Sequence, residues 1–467
     1  MKKACLLLVV TLLISLVSYC YAQAPTVPIP QIKLPQAPKA PTVPTAGHSI
    51  NPYNPSIPNN GFNQQAQQEA IMREVQAHQR QLQTASKNEV QNHIQNEIQR
   101  QTDIMMLTKY GFPMQSDYEG TSAFYSAFDE INNMLNGQET LNLGRAVFLV
   151  ENAWHNNKFD YGDYQKGIKS SVEFCSQKIK EEKLNGNDNL VKNMMLFRFM
   201  CDTLKVKDKT AGKAQTHYPV KYNYEDYDSH INYDSHFVTT LMQTSTGQCH
   251  SMPLYYLVLA EEMGAEAYWS FSPRHSFVKI QDEKGDWHNI ELTAKAILSD
   301  THYMNSSYIK SEALQSKIYL EPMDKTNVVA EMLVELARGY YQKYGLDDFY
   351  LKCIDTAEQH LKNDLNTKLL RSAYQTRLTL TLAHMLNAPK PEIMKELSPE
   401  AYKHFELMLA QYQEIDNMGY EEVPVAVYAL WLDHIAKEKD KADKAKQPSI
   451  FIRKNIEGTF NRSSSNP

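Results

Sequence analysis

The chain has 467 residues, of which 42% are hydrophobic and 22% are charged, and its formal net charge at pH 7 is −6. This length is enough for about three ordinary domains. Because Lys and Arg are scattered rather than clustered, the sequence lacks the basic patch that nucleic-acid binding requires, and we expect no nucleic-acid partner.

Residues 1–22 have the pattern of a signal peptide. Two lysines precede an apolar run over residues 6–17, and Cys20-Tyr21-Ala22 fits a cleavage site. This pattern predicts export to the periplasm or the extracellular space. No later run is long enough to span a bilayer, so we expect no transmembrane segment in the mature chain. Lipid anchoring at Cys20 is disfavoured because the bulky Tyr19 precedes it.

Residues 23–61 predict an extended linker. Ten of the 21 prolines in the chain fall in this segment, and no hydrophobic periodicity accompanies them. A Pro-rich segment of this kind is a semi-rigid spacer.

Residues 62–108 are rich in Gln and Glu and predict a helical segment. Val90, Ile94 and Ile98 recur every four residues, which is typical of a narrow apolar stripe on a surface or partner-facing helix. Ser86, followed by Glu three residues later, is a capping-box pattern that predicts a helix start.

Residues 115–325 predict an α+β domain. Its helical patterns include 143–154, 165–183 and 190–205, and its strand-like patterns are 265–269, 276–280 and 287–292. The midpoint between Cys175 and Cys201 is Asp188, at the end of the turn-like residues 184–188, so an antiparallel hairpin would bring the two cysteines level. We predict either a disulfide between these two cysteines or two buried thiols.

Cys249 is the candidate nucleophile. It precedes the apolar stretch 251–260, in which Pro253 suits only a first helical turn, and Gly264 suits a C-terminal cap. The N-terminus of a buried helix favours a thiolate. Taken alone, Cys249 fits a buried small side chain equally well.

His275 and Glu291 are the candidate base and orienting acid. If residues 282–286 form the loop between two strands, Gln281 pairs with Trp287, and His275 and Glu291 become diagonal neighbours on one face. A carboxylate there can hold the imidazole tautomer. Asn289 is the alternative orienter.

The phrases Gly247-x-Cys249, His275 at a strand start, and Trp287-x-x-x-Glu291-x-Thr293 together resemble the transglutaminase-like domain of the papain-like cysteine enzymes. The resemblance implies an α+β papain-like core of N-terminal helices and a small antiparallel sheet. It assigns the nucleophile to Cys249, the base to His275 and the orienting acid to Glu291, where the family usually has aspartate. For the oxyanion hole we nominate the Cys249 N–H with Gln243 or Gln248.

Residues 326–440 predict an all-α region. Helical stretches near 327–344, 347–363, 366–387, 398–418 and 421–440 alternate with short loops. This region loosely resembles tetratricopeptide repeats, and a plain helical bundle fits the pattern equally well. Residues 441–467 predict a disordered tail.

We expect no metal site and no cofactor. Tyr227-Asp228-Ser229-His230 recurs as Tyr233-Asp234-Ser235-His236, but no third ligand is evident beside the two Asp/His pairs. Side chains of adjacent Cys249 and His250 diverge, which disfavours a zinc site with His275.

The sequence therefore predicts an exported cysteine acyl-transfer enzyme that attacks peptide or side-chain amides, either as a peptidase or amidase or as a transglutaminase. Cell-wall peptides and surface proteins are candidate substrates. We favour hydrolysis because a transferase must exclude water. The alternative is an inactive scaffold that binds peptides or proteins through its C-terminal helices. We favour the enzyme because a scaffold has no need for a thiol at a helix N-terminus in an oxidising compartment.

Overall fold

The computed structural model describes residues 64–115, 118–207, 214–423 and 425–445. The predicted signal peptide and Pro-rich linker, and most of the predicted tail, lie outside these residues. Over the part described, the chain divides into two compact units, one ending at Met106 and the other beginning at Leu107.

Helix α1 covers Gln64–Tyr110. It continues through Ser86, so the predicted start at that residue is wrong. Val90, Ile94 and Ile98 are all exposed, as a surface helix requires.

Four helices open the second unit. They are α2 (Thr121–Leu135), α3 (Leu143–Trp154), α4 (Tyr161–Glu181) and α5 (Asn189–Cys201). Asp160 and Asp188 cap α4 and α5 by accepting hydrogen bonds from backbone N–H groups of the first turn. The predicted antiparallel hairpin of these two helices is formed.

The segment after α5 contains short elements that the sequence did not predict. They are strands β1 (Leu204–Lys207), β2 (Ala214–His217) and β3 (Lys221–Tyr222), a 3₁₀ helix (Tyr233–His236), α6 (Val238–Thr244) and β4 (Thr246–Gly247). β1 pairs antiparallel with β2, and β3 pairs parallel with β4. Strands of two to four residues carry too few positions for a periodic signal.

Helix α7 (Ser251–Met263) is central to this unit. Every residue from Ser251 to Ala260 is buried, because α3, α4, α5, α6 and two strands of the next sheet all pack against the helix. Gly264 ends it in the left-handed conformation, with φ 65°, as the sequence predicted.

A four-stranded antiparallel sheet follows, in the order β5 (Tyr268–Ser272), β6 (His275–Gln281), β7 (Trp287–Glu291) and β8 (Ala296–Leu298). β5 starts later than predicted, because Ala265 still bonds to the carbonyl of Ala260 at the end of α7. Two short helices complete this region, α8 (Asp300–Ser306) and α9 (Ser311–Gln315).

The C-terminal region is helical, as predicted. It contains α10 (Lys325–Tyr344), α11 (Asp348–Glu358), α12 (Leu365–Met385), a 3₁₀ turn (Pro391–Ile393), α13 (Met394–Leu397), α14 (Pro399–Asn417) and α15 (Val425–Ala445). α10 packs with α11, and α12 packs with α14. The first five residues of the predicted tail, 441–445, extend α15.

Helix α10 also packs against α2 and α3, so helices on both sides of the predicted boundary at residues 325 and 326 share one core. The described part is thus a mixed α+β structure with many helices and small sheets. None of its helices combines the length and the apolar character needed to cross a bilayer.

Candidate active site

Cys249 lies in the turn between β4 and α7 and is partly exposed. The Ser276 hydroxyl donates a 2.6 Å hydrogen bond to the Cys249 carbonyl, which ties the start of α7 to β6. No hydrogen bond to the Cys249 N–H is found within the described part of the chain. This donor is therefore available at the positive end of a buried helix.

His275 is positioned by a tight turn at the first residue of β6. Ser272 pairs with His275 across a two-residue loop in which Arg274 has φ 58°. In the next hairpin Gln281 pairs with Trp287, so the predicted register is confirmed. That register brings the end of β7, at Glu291, to the same face as His275.

The three predicted residues lie together. His275 Nε2 lies 2.6 Å from Glu291 Oε2, and Cys249 is a neighbour of the same imidazole. Because Glu291 engages Nε2, Nδ1 is the nitrogen left for the thiol. The His275 side chain is 25% exposed and that of Glu291 is 6% exposed, so the acid is shielded from solvent while the base is partly exposed.

Glu291 has a full set of donors. The backbone N–H and the hydroxyl of Thr293 donate to Oε1 at 2.9 and 2.6 Å. The Tyr303 hydroxyl donates to Oε2 at 2.8 Å, and the Tyr303 ring stacks on Phe277. Thr293 and Tyr303 therefore hold the Glu291 carboxylate in place where it contacts the imidazole, although glutamate has a longer side chain than aspartate. Sequence reasoning missed Tyr303, which lies twelve residues downstream in α8 and has no motif of its own.

The electrostatics favour a charged pair. Burial alone would raise the pKa of Glu291, but the positive imidazole and the hydrogen bonds from His275, Thr293 and Tyr303 lower it to about 2. Burial alone would lower the pKa of His275, but the charge of Glu291 and the hydrogen bonds with Cys249 and Glu291 raise it well above its ordinary value. The site thus holds an imidazolium against a carboxylate near neutral pH.

Tyr222 is a further neighbour of Cys249 that sequence reasoning missed. The parallel pairing of β3 with β4 places it opposite Gly247. Burial raises the pKa of Tyr222, and the neighbouring Cys249 and Glu291 raise it further. The phenol therefore stays neutral and is a hydrogen-bond donor beside the thiol.

The other nominated residues are placed differently. Gln248 is buried, and its amide is engaged by the Asp226 carbonyl and by Ser229. Gln243 is half-buried in α6. The Asn289 amide donates a 2.7 Å hydrogen bond to Asp300. Glu291, and not Asn289, is the residue that contacts the His275 imidazole.

Cys175 and Cys201 are free, buried thiols, so the predicted disulfide is not formed. Helices α4 and α5 both pack on α7, and the two thiols lie near Tyr256 of that helix. Burial raises the pKa of Cys201 to about 12 and that of Cys175 even further. Of the two predicted alternatives, Cys175 and Cys201 therefore form the second, a pair of buried thiols.

Asp226, Asp228 and His230 form one cluster with metal-ligating side chains. The two oxygens of Asp226 already accept hydrogen bonds from the N–H groups of Ile231 and Asn232. His230 Nδ1 lies 2.6 Å from Asp228. These internal bonds satisfy the cluster without an ion.

Comparison of the chain with protein-family models, with curated proteins and with solved structures gives no match.

Proposed function

We propose that this chain is a cysteine acyl-transfer enzyme, with Cys249 as nucleophile, His275 as base and Glu291 as orienting acid. The observation that carries the proposal is the 2.6 Å contact between His275 Nε2 and Glu291 Oε2, with Cys249 as a neighbour of the same imidazole. A nucleophile, a base and a group that orients the base are the general arrangement for covalent catalysis by a thiol.

The cysteines of the described chain support this choice of nucleophile. Cys175, Cys201 and Cys353 are buried, and burial raises their pKa values. Cys249 alone among these four is partly exposed and has an imidazole beside it. A thiol of this kind can reach a carbonyl carbon that the buried thiols cannot.

In the proposed reaction the Cys249 thiolate attacks an amide carbonyl, and a C–S bond forms. The Cys249 N–H donates to the resulting oxyanion. The C–N bond then breaks as His275 gives its proton to the leaving amine. The thioester is next attacked by water or by a second amine, which loses its proton to His275, and the C–S bond breaks to return the thiolate.

Three further parts of this proposal rest on the sequence. They are the resemblance to the transglutaminase-like domain of papain-like enzymes, the expected export, and the peptide or protein substrates. Hydrolysis and transfer share the thioester, so one experiment tests both.

That experiment traps the thioester with hydroxylamine. Protein that comprises residues 23–467 is incubated with hydroxylamine and a pool of Gln-containing and cell-wall-type peptides. Peptidyl hydroxamates are then identified by mass. We expect hydroxamates with the wild type and with Cys353→Ala, and none with Cys249→Ala or His275→Ala. Hydroxamates that are absent throughout, or that persist in Cys249→Ala, would contradict acyl transfer and favour the binding scaffold.

A further inference from the structure

His236, His250 and Glu335 come together from three separate elements. His236 is the last residue of the 3₁₀ helix, His250 directly precedes α7, and Glu335 lies in the middle of α10. One ring nitrogen from each histidine and one carboxylate oxygen of Glu335 lie within 4.8 Å of one another. Two imidazoles and a carboxylate are a ligand set that Zn²⁺ and related divalent ions prefer.

The three side chains line a small cavity of about 20 Å³. Its other walls include Trp154 and Met332. A cavity of this size admits one water molecule or one ion. The His250 side chain is 23% exposed, so the cavity is accessible from the surface.

The distances within the cluster fit a bridging ion better than a direct contact. His250 Nε2 lies 3.8 Å from Glu335 Oε2, which is too long for a hydrogen bond. Metal ligands about 2.0–2.2 Å from a common ion are separated by a similar distance. Glu335 Oε1 is held at 2.5 Å by Arg338, so the carboxylate is fixed and Oε2 is left for the cavity.

A second hydrogen bond orients one ligand. Ser229 Oγ lies 3.3 Å from His236 Nδ1. Metal-binding histidines are commonly held in this way through the nitrogen that does not face the ion. Ser229 in turn donates to Gln248, two residues before His250, so the same loop supports both histidines.

We propose that His236, His250 and Glu335 bind a divalent transition-metal ion, with Zn²⁺ as the best fit, and that this ion joins the 3₁₀ helix, the start of α7 and α10. The three protein ligands leave a fourth position for water. The expectation from sequence that the chain has no metal site would then be wrong, because the third ligand comes from a helix 85 residues beyond His250.

The test uses protein that comprises residues 23–467. Bound metal is removed with a chelator, and the protein is then titrated with Zn²⁺ and, separately, with Co²⁺. We expect one Zn²⁺ per chain by elemental analysis, a visible Co²⁺ spectrum of tetrahedral type, and a higher melting temperature with Zn²⁺. His236→Gln and Glu335→Gln should each lose the ion and the Zn²⁺-dependent rise in melting temperature.

Two matched controls assign the site. His230→Gln, in the cluster of Asp226, Asp228 and His230, and Cys249→Ser should both keep the ion. Melting of each metal-free variant at the temperature of the metal-free wild type shows that the variant is folded. A wild type that binds no ion, an ion retained in both His236→Gln and Glu335→Gln, or an ion lost in Cys249→Ser would overturn the proposal.

Discussion

At the scale of single residues, the geometry of Glu291 decides what the site can do. Its two oxygens accept hydrogen bonds from the imidazole of His275, the Tyr303 hydroxyl and both donors of Thr293. The carboxylate therefore has a single orientation. A longer acid than aspartate can serve here because its head group is held from three sides rather than by His275 alone.

Tyr303→Phe should weaken this support. The substitution removes the 2.8 Å hydrogen bond to Glu291 and leaves the ring stacked on Phe277. Because the acceptor is charged, we expect a loss of about 1–3 kcal/mol in the free energy of unfolding, measured by urea denaturation. Tyr308→Phe, at an exposed tyrosine, should change it by less than about 0.5 kcal/mol. Equal losses of unfolding free energy in the two variants would show that the Tyr303 hydroxyl does not support Glu291.

Glu291→Gln should change the dependence of stability on acid pH. The pKa of Glu291 is lowered in the folded state to about 2, so its contribution to stability is present above its unfolded value of 4.5 and is lost as the pH falls towards 2. The difference in unfolding free energy between wild type and variant should be largest above about pH 5, of the order of 3 kcal/mol, and should shrink below about pH 4.5.

Glu283→Gln is the matched control for that measurement. Glu283 is exposed in the turn between β6 and β7, so its substitution should leave the pH dependence of stability unchanged. A difference between wild type and Glu291→Gln that is constant from about pH 3 to 7 would show that the carboxylate is not held in ionised form.

At the scale of elements, the approach of β4 to α7 fixes where Cys249 lies. A Cβ atom on Gly247 would meet Leu241 Cδ1 at 2.5 Å and Met252 Cγ at 2.9 Å, so a larger residue would force these two side chains to shift. We expect Gly247→Ala to lower the free energy of unfolding by about 1–3 kcal/mol and to slow alkylation of Cys249. At Gly186 the nearest atom to such a Cβ is 3.6 Å away. If Gly186→Ala affected alkylation as much, the effect would not come from this contact.

Sequence reasoning worked for elements whose local signal is strong. The residues of α3 were predicted with its observed bounds, and the short loop after Gln281 fixed the register of β6 and β7. That register is what allowed His275 and Glu291 to be paired in advance. The apolar run after Cys249 likewise predicted the buried helix α7.

The parts that were missed depend on contacts between distant segments. Tyr222 reaches the site through a strand of two residues, and Tyr303 through a helix of seven. The predicted bridge between Cys175 and Cys201 failed because their helices pack on α7 and not only on each other. Spacing in a sequence does not tell which of two neighbours a side chain faces.

At the scale of the whole molecule, α10 joins the predicted catalytic region to the C-terminal helices. Every residue from Val328 to Ala337 is buried, because α2 and α3 pack on one side and α11 on another. A helix buried all round belongs to the core rather than to an appended module.

Removal of α10 and removal of α15 alone should therefore have different effects on thermal unfolding. A chain that ends at Asp324 should lose cooperative thermal unfolding, since the apolar faces of α2 and α3 would be exposed. A chain that ends at Glu422 should keep it, because α15 packs extensively against no other element of the described chain, and its ion pair between Lys439 and Glu225 contributes at most about 1 kcal/mol. Circular dichroism melting curves of the two chains distinguish these outcomes.

The central claim is that Cys249 is activated by His275 and Glu291, and the rate of alkylation of Cys249 by iodoacetamide at about pH 6 tests it most directly. Peptide mass gives the rate in the wild type, His275→Ala, Glu291→Ala and the control His288→Ala, whose imidazole pairs with Asp282 at 2.9 Å on the same sheet. We predict fast reaction in the wild type and in His288→Ala, and rates lower by on the order of tenfold or more in the other two. Equal, slow rates in all four proteins would contradict the account.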